Sequence, residues 1–276
     1  MIRYPISLIR FDETYNHFLE FLKEESGDKE FIGFNEVDMY KSEAYKNEIR
    51  EKSLALLNTE EWNSKMIGSG EIAKLVVSTL ELTGNNLVDT KNKYGPDSLA
   101  HRKILDAIVD GTNLVEIEQV FFDLYKTKID EQDIISRLID LIGKKYSLMA
   151  FLFFLKNDRK YLPISTKNFE FAFNEIGCDL KLSRKCSWEN YEAYLNVIRQ
   201  VKTILEDKLD EPINFIDAHS FLWLIGYNNR LRKWIDHKGL TKLALVFNAF
   251  EINPVNPSSN RLPTTPNDSI WEIDTD

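Results

Sequence analysis

The chain has 276 residues, of which 43% are hydrophobic and 29% charged, and it carries a formal net charge of −9. That balance excludes a disordered polymer and provides for a sizeable core, in one large domain or two smaller ones. The acidity excludes a protein that coats nucleic acid over its whole surface. With 11 Gly and 8 Pro, turn residues are too few for an all-β chain.

Two cysteines make no disulfide framework, and the opening Met1-Ile2-Arg3-Tyr4-Pro5 lacks the charged-then-apolar pattern of a secretory signal. The longest apolar run, Ser147–Leu155, is about half of the roughly 20 residues a membrane span needs. The expected compartment is the cytoplasm, with no membrane partner.

Apolar residues at helical spacing, with capping residues ahead of them, predict a succession of helices. Tyr15, Phe18, Leu19 and Leu22 form the stripe of the first, which stops near Gly27. Ser42 caps a second, carrying Tyr45, Ile49 and Leu56. Ser69-Gly70 precedes a third with Ile72, Leu75, Val76, Thr79 and Leu80, ended by Gly84-Asn85-Asn86. After the polar loop Asp89–Asp97, helices open at Ser98, Asn113 and Asp130. The run Leu148–Leu155 suits a buried helix or a central strand equally, and Lys160–Ser165 is extended because the residue before Pro163 avoids helical angles. Thr166 caps a helix with Phe169, Phe173 and Ile176 on one face. Ser187 caps the clearest helix, with Tyr191, Leu195, Ile198, Val201 and Leu205 in register. Asp217 caps a short apolar helix that Gly226 ends, and a last helix spans Asn229 to Phe250. The predicted fold is thus mainly α, a multi-helix globular domain over residues 1–253. It has at most a small β element around 148–165 and 213–217, and a Pro-rich linker or tail over 254–276.

Catalytic signatures are sparse. Ile67-Gly68-Ser69-Gly70 lacks the lysine and the length of a phosphate-binding loop and reads as a helix start. Five Asp/Glu-x-Lys triplets, at Asp89, Asp158, Asp179, Glu206 and Asp236, are about what random placement gives. A Mg²⁺-dependent nuclease would draw its ligands from Asp217 and Asp236, with Lys238 beside the attacked phosphate. Cys178 and Cys186 lie too far apart for a tight zinc pair. His219, beside Phe221, Leu222 and Trp223, reads as a satisfied core histidine. No catalytic residue, metal or cofactor is therefore predicted.

Charge is uneven along the chain. Lys144 to Lys202 hold eleven basic and six acidic residues, a local +5 that leaves −14 for the rest. Within that span Lys156, Arg159, Lys160, Lys167, Arg184 and Lys185 form the candidate nucleic-acid-binding set, with Tyr161 and Trp188 among them as aromatic surfaces. The alternative is a solvated charged face.

Four segments, Asn85–His101 (NNLVDTKNKYGPDSLAH), Phe154–Ser165 (FLKNDRKYLPIS), Cys186–Leu195 (CSWENYEAYL) and Phe215–Gly226 (FIDAHSFLWLIG), carry a resemblance. They are similar to the helical N-terminal regions attached to bacterial restriction-type endonucleases, often of the HNH kind. The resemblance implies a DNA restriction or phage-defence setting, with DNA and a nuclease, methyltransferase or other defence subunit as partners. It transfers no catalytic residue, because the chain has no HNH motif. The expected function is a non-catalytic DNA-associated module. The alternatives are the nuclease using Asp217, Asp236 and Lys238, and a protein–protein scaffold subunit.

Overall fold

A computed structural model describes residues 3–25, 45–90 and 99–227. The predicted last helix, the Pro-rich tail, Pro96-Asp97, Asp236 and Lys238 lie outside the described residues. Among those residues are ten α-helices and no strand. They are α1 (Leu8–Glu25), α2 (Tyr45–Leu57), α3 (Glu71–Leu80), α4 (Arg102–Asp110), α5 (Leu114–Lys126), α6 (Glu131–Ile142), α7 (Tyr146–Lys156), α8 (Thr166–Glu175), α9 (Trp188–Leu209) and α10 (Phe215–Tyr227). The fold is a multi-helix all-α fold. None of these helices is long and apolar enough to cross a membrane.

Helix α7 resolves the ambiguity of the apolar run. All eight residues from Leu148 to Leu155 are buried, so the helix is enclosed on every side and shows no amphipathic stripe. Its C-terminal carbonyls then need partners inside the protein. Arg50 of α2 supplies them, donating to the carbonyls of Phe154 at 3.2 Å and Leu155 at 3.3 Å. The hydroxyl of Tyr125 donates to the carbonyl of Leu152.

Around α7, helices α3 to α6 pack on one another in one group, and α8, α9 and α10 form a second that α1 joins through α8. The tightest approach is that of α8 and α10. A Cβ added at Gly226 would lie 2.0 Å from the Asn168 carbonyl oxygen. Gly226 therefore does not end α10, which continues to Tyr227. It removes the side chain where two backbones meet.

Neither stretch that allowed a small β element forms a strand. Residues 148–156 are helical, and Phe215–Asp217 form the first turn of α10. Asp217 is accordingly not the cap of a helix beginning at Ala218. It sits in the third helical position, and its carboxylate accepts from the Asn214 amide at 2.8 Å, one half of a capping box. Thr166 is likewise the first helical residue, and Ser165 precedes it as the cap.

The extended stretch Tyr161–Ile164 runs through the interior. Its backbone polar groups need internal partners, and α9 and α10 provide them. The Tyr191 hydroxyl accepts from the Leu162 amide and donates to the Leu162 carbonyl. Tyr194 donates to the Pro163 carbonyl at 2.6 Å. The same carbonyl accepts from His219 Nε2 at 3.0 Å, so Nδ1 of that ring is the nitrogen that accepts from Lys46 Nζ at 3.1 Å. Lys46 and His219 are 1% and 2% exposed. Burial, reinforced by the neighbouring Lys46, holds His219 well below the usual imidazole range.

Candidate nucleic-acid interface

The turn from Lys181 to Lys185 joins α8 to α9 and presents three cations. Its shape is set by Glu170 of α8, whose carboxylate accepts from the Leu182 amide at 2.5 Å, the Ser183 amide at 2.8 Å and the Ser183 hydroxyl at 3.0 Å. Asn190 of α9 donates to the Lys181 carbonyl at 2.8 Å, and Tyr146 of α7 donates to the Asn190 side chain. Arg184 takes φ of +59°, a left-handed conformation that costs a non-glycine residue energy. Such strain persists only where surrounding bonds over-determine the turn, as the Glu170 and Asn190 contacts do.

This turn borders a groove of about 460 Å³ at the start of α9. Arg3, Lys144, Lys181, Arg184 and Lys185 line it, against Asp179 and Glu189. Ser187 and Asn190, also in the lining, form the first turn of α9, where the Ser187 hydroxyl accepts from the Asn190 amide. The positive end of a 22-residue helix thus adds to the field of the side chains.

The six basic residues picked out by sequence fall into separate places. Arg184 and Lys185 line the groove. Lys156, Arg159, Lys160 and Lys167 are not among its lining. Lys160 pairs with Glu131 at 2.9 Å. Lys156 is half-buried, and that burial lowers its pKa, with Glu131 opposing and Lys160 adding to the shift. Burial tends to raise Glu131, but hydrogen bonds from Tyr161 and Lys160 outweigh it and pull the carboxyl down to about 2. Arg159 and Lys167 are exposed.

The aromatic expectation needs correcting. Tyr161 is 1% exposed and its hydroxyl donates to Glu131 at 2.5 Å, so its ring packs against Phe153 in the interior and offers no stacking face. Trp188 is half-buried against the same pair of rings.

No known protein family, curated protein or solved structure matches the chain.

Sequence reading missed Arg3, Lys144 and Lys181. Lys181 lies within the basic span and in the triplet Asp179-Leu180-Lys181, so a signal was present, though no stronger than in four other triplets. Lys144 opens that same span, whereas Arg3 has no local signal, and only packing brings the two to α9. No group of three His, Cys, Asp or Glu side chains able to hold a metal occurs among the described residues. The loop Gly68–Gly70 has its own occupant, the carboxylate of Glu118. That group accepts from the amides of Gly68 at 2.6 Å, Gly70 at 3.1 Å and Ala73 at 2.9 Å. An incoming phosphate would have to displace it.

Proposed function

We propose that the chain is a non-catalytic, DNA-associated module of a bacterial restriction or phage-defence system, working in the cytoplasm beside a nuclease or methyltransferase subunit. The observation that supports contact with a polyanion is the groove at the start of α9, with five cations against two carboxylates in a chain of net charge −9. Phosphate contacts dominate affinity for nucleic acid, and their strength depends on salt. An acidic protein can make such contacts only where its cations converge. The restriction setting rests on the resemblance of the four segments named above.

Fluorescence anisotropy with labelled duplex DNA at low and moderate salt tests this reading. Charge reversal at Lys181, Arg184 and Lys185 should abolish binding and flatten its salt dependence, by roughly one unit of log–log slope per lost phosphate contact. Reversal at Arg159 and Lys167, outside the groove, should leave most of the affinity. Wild-type protein that fails to bind DNA even in low salt sinks the proposal.

A further inference from the structure

We propose that the groove at the start of α9 is a pocket for a terminal phosphate, the phosphomonoester of a nucleic-acid strand end or of a free nucleotide, with the attached nucleoside lying in the adjoining groove. This rests on the DNA-associated reading and narrows it.

Shape is the first argument. At about 460 Å³ the concavity has the size of a small-ligand site. A B-form duplex carries its phosphates on the outside of a rod whose major groove alone is about 12 Å wide. A rod of that kind lies across such a concavity, whereas a strand end enters it.

Charge is the second. The cations converge from separate parts of the chain: Arg3 from the N-terminal segment, Lys144 from the α6–α7 turn, and Lys181, Arg184 and Lys185 from the turn before α9. Against Asp179 and Glu189 they leave a local excess of three positive charges. A phosphomonoester brings about −1.5 to −2 at neutral pH, roughly twice the single charge of each backbone diester, so the pocket favours an end over an internal phosphate.

The neighbouring surface supplies the third. A second groove of about 410 Å³ shares Arg3, Tyr4 and Glu189 with the first and runs on along α9 past Glu192, Asn196 and Gln200. Its two carboxylates outnumber its one cation, so a second phosphate is repelled there. Its carboxylates and side-chain amides are instead acceptors and donors suited to a sugar hydroxyl or a base edge. One cationic pocket followed at once by a polar, mildly acidic groove matches one phosphate followed by one nucleoside. It does not match a track for repeating phosphates.

The turn that carries the cations is held by hydrogen bonds from within the protein. Glu170 fixes it through three hydrogen bonds and holds Arg184 at φ +59°. Glu170 is thereby a positioning residue: its carboxylate faces the turn's backbone.

The experiment compares short single strands, labelled at the 3′ end, that carry a 5′-phosphate or a 5′-hydroxyl, together with a circular strand of the same composition. Competition by dAMP, adenosine and inorganic phosphate is measured in parallel. The phosphorylated strand should bind about tenfold tighter than the hydroxyl strand, and dAMP should compete better than adenosine or inorganic phosphate. Arg184→Ala and Lys185→Ala, both at exposed positions, should erase that preference with Tm unchanged. Glu170→Gln should shrink it, since a neutral carboxamide oxygen accepts more weakly than a carboxylate from the Leu182 and Ser183 amides, which share one oxygen, and its amino group replaces the oxygen that accepts from the Ser183 hydroxyl. Equal affinity for all three strands with no competition by dAMP overturns the inference and leaves the DNA-associated reading standing. Binding of dAMP without binding of any strand keeps the phosphomonoester site and removes the DNA reading. Binding of neither removes both.

Discussion

The carboxylate of Glu118, in the middle of α5, accepts a hydrogen bond from the amide of Ala73 in the first turn of α3 at 2.9 Å. With the Gly68 and Gly70 amides it satisfies three donors at one helix start, and it does so with no exposure to solvent. Hydrogen bonds to a charged acceptor are worth about 1.5–3 kcal/mol each when a buried partner would otherwise be orphaned.

Glu118→Gln should therefore cost about 2–3 kcal/mol in urea unfolding, because the carboxamide turns a donor toward amides that are themselves donors. Glu118→Ala should cost more. A loss under about 0.5 kcal/mol in the Gln variant would mean that the carboxylate is not what holds the loop.

Gly226→Ala tests the α8–α10 contact. The added methyl would stand 2.0 Å from the Asn168 carbonyl oxygen, a backbone atom that cannot rotate away. The helices must separate, at a cost of about 3 kcal/mol. An Ala variant as stable as wild type would show that the two backbones lie further apart.

His219 gives stability a specific pH dependence. Its folded pKa lies below the unfolded value of about 6.5, because burial and Lys46 disfavour the imidazolium. The unfolded chain therefore binds a proton that the folded chain refuses. Stability is fully present above about pH 6.5 and falls as pH drops through that value, by up to about 1.4 kcal/mol per pH unit. The Tm of wild type should decline between neutral pH and about pH 5, and His219→Gln should flatten that decline. Identical slopes in the two proteins would count against the assignment.

Asp217 separates a structural from a catalytic reading. Its carboxylate reaches back to the Asn214 amide at 2.8 Å, and an Asn side chain can accept the same bond. Asp217→Asn should then lose under about 0.5 kcal/mol, and Asp217→Ala about 0.5–2 kcal/mol. Both are measured by urea unfolding, with Mg²⁺-dependent DNA cleavage assayed alongside. Wild-type cleavage that the Asn variant abolishes would make Asp217 a metal ligand.

Much of the helical order was legible because it is written locally. Asp130 accepts from the Gln132 amide and Ser187 from the Asn190 amide, where the stripe of α6 and α9 begins. Period and cap are short-range properties, so a window of a dozen residues contains them. The acid in the first turn of α10 was visible as well. Its role differs because Asn214, three residues earlier, takes the cap position and makes Asp217 the partner that reaches back.

The sequence by itself determined the class of this protein: helices of ordinary length, a large aromatic core, an acidic whole and a basic span from Lys144 to Lys202. Tertiary structure decided the rest. Helix α7 has no hydrophobic stripe because every face is buried, so only enclosure by its neighbours distinguishes it from a strand. Tyr161 stands among lysines in the chain yet faces inward, because Glu131 and Phe153 lie next to it only once α6 and α7 have packed. The basic span likewise does not become one surface. Lys160 is drawn to Glu131, whereas Arg184 and Lys185 meet Arg3 and Lys144 across the groove at α9. The field a ligand meets is a sum over distances in space, and neighbours in sequence do not fix those distances.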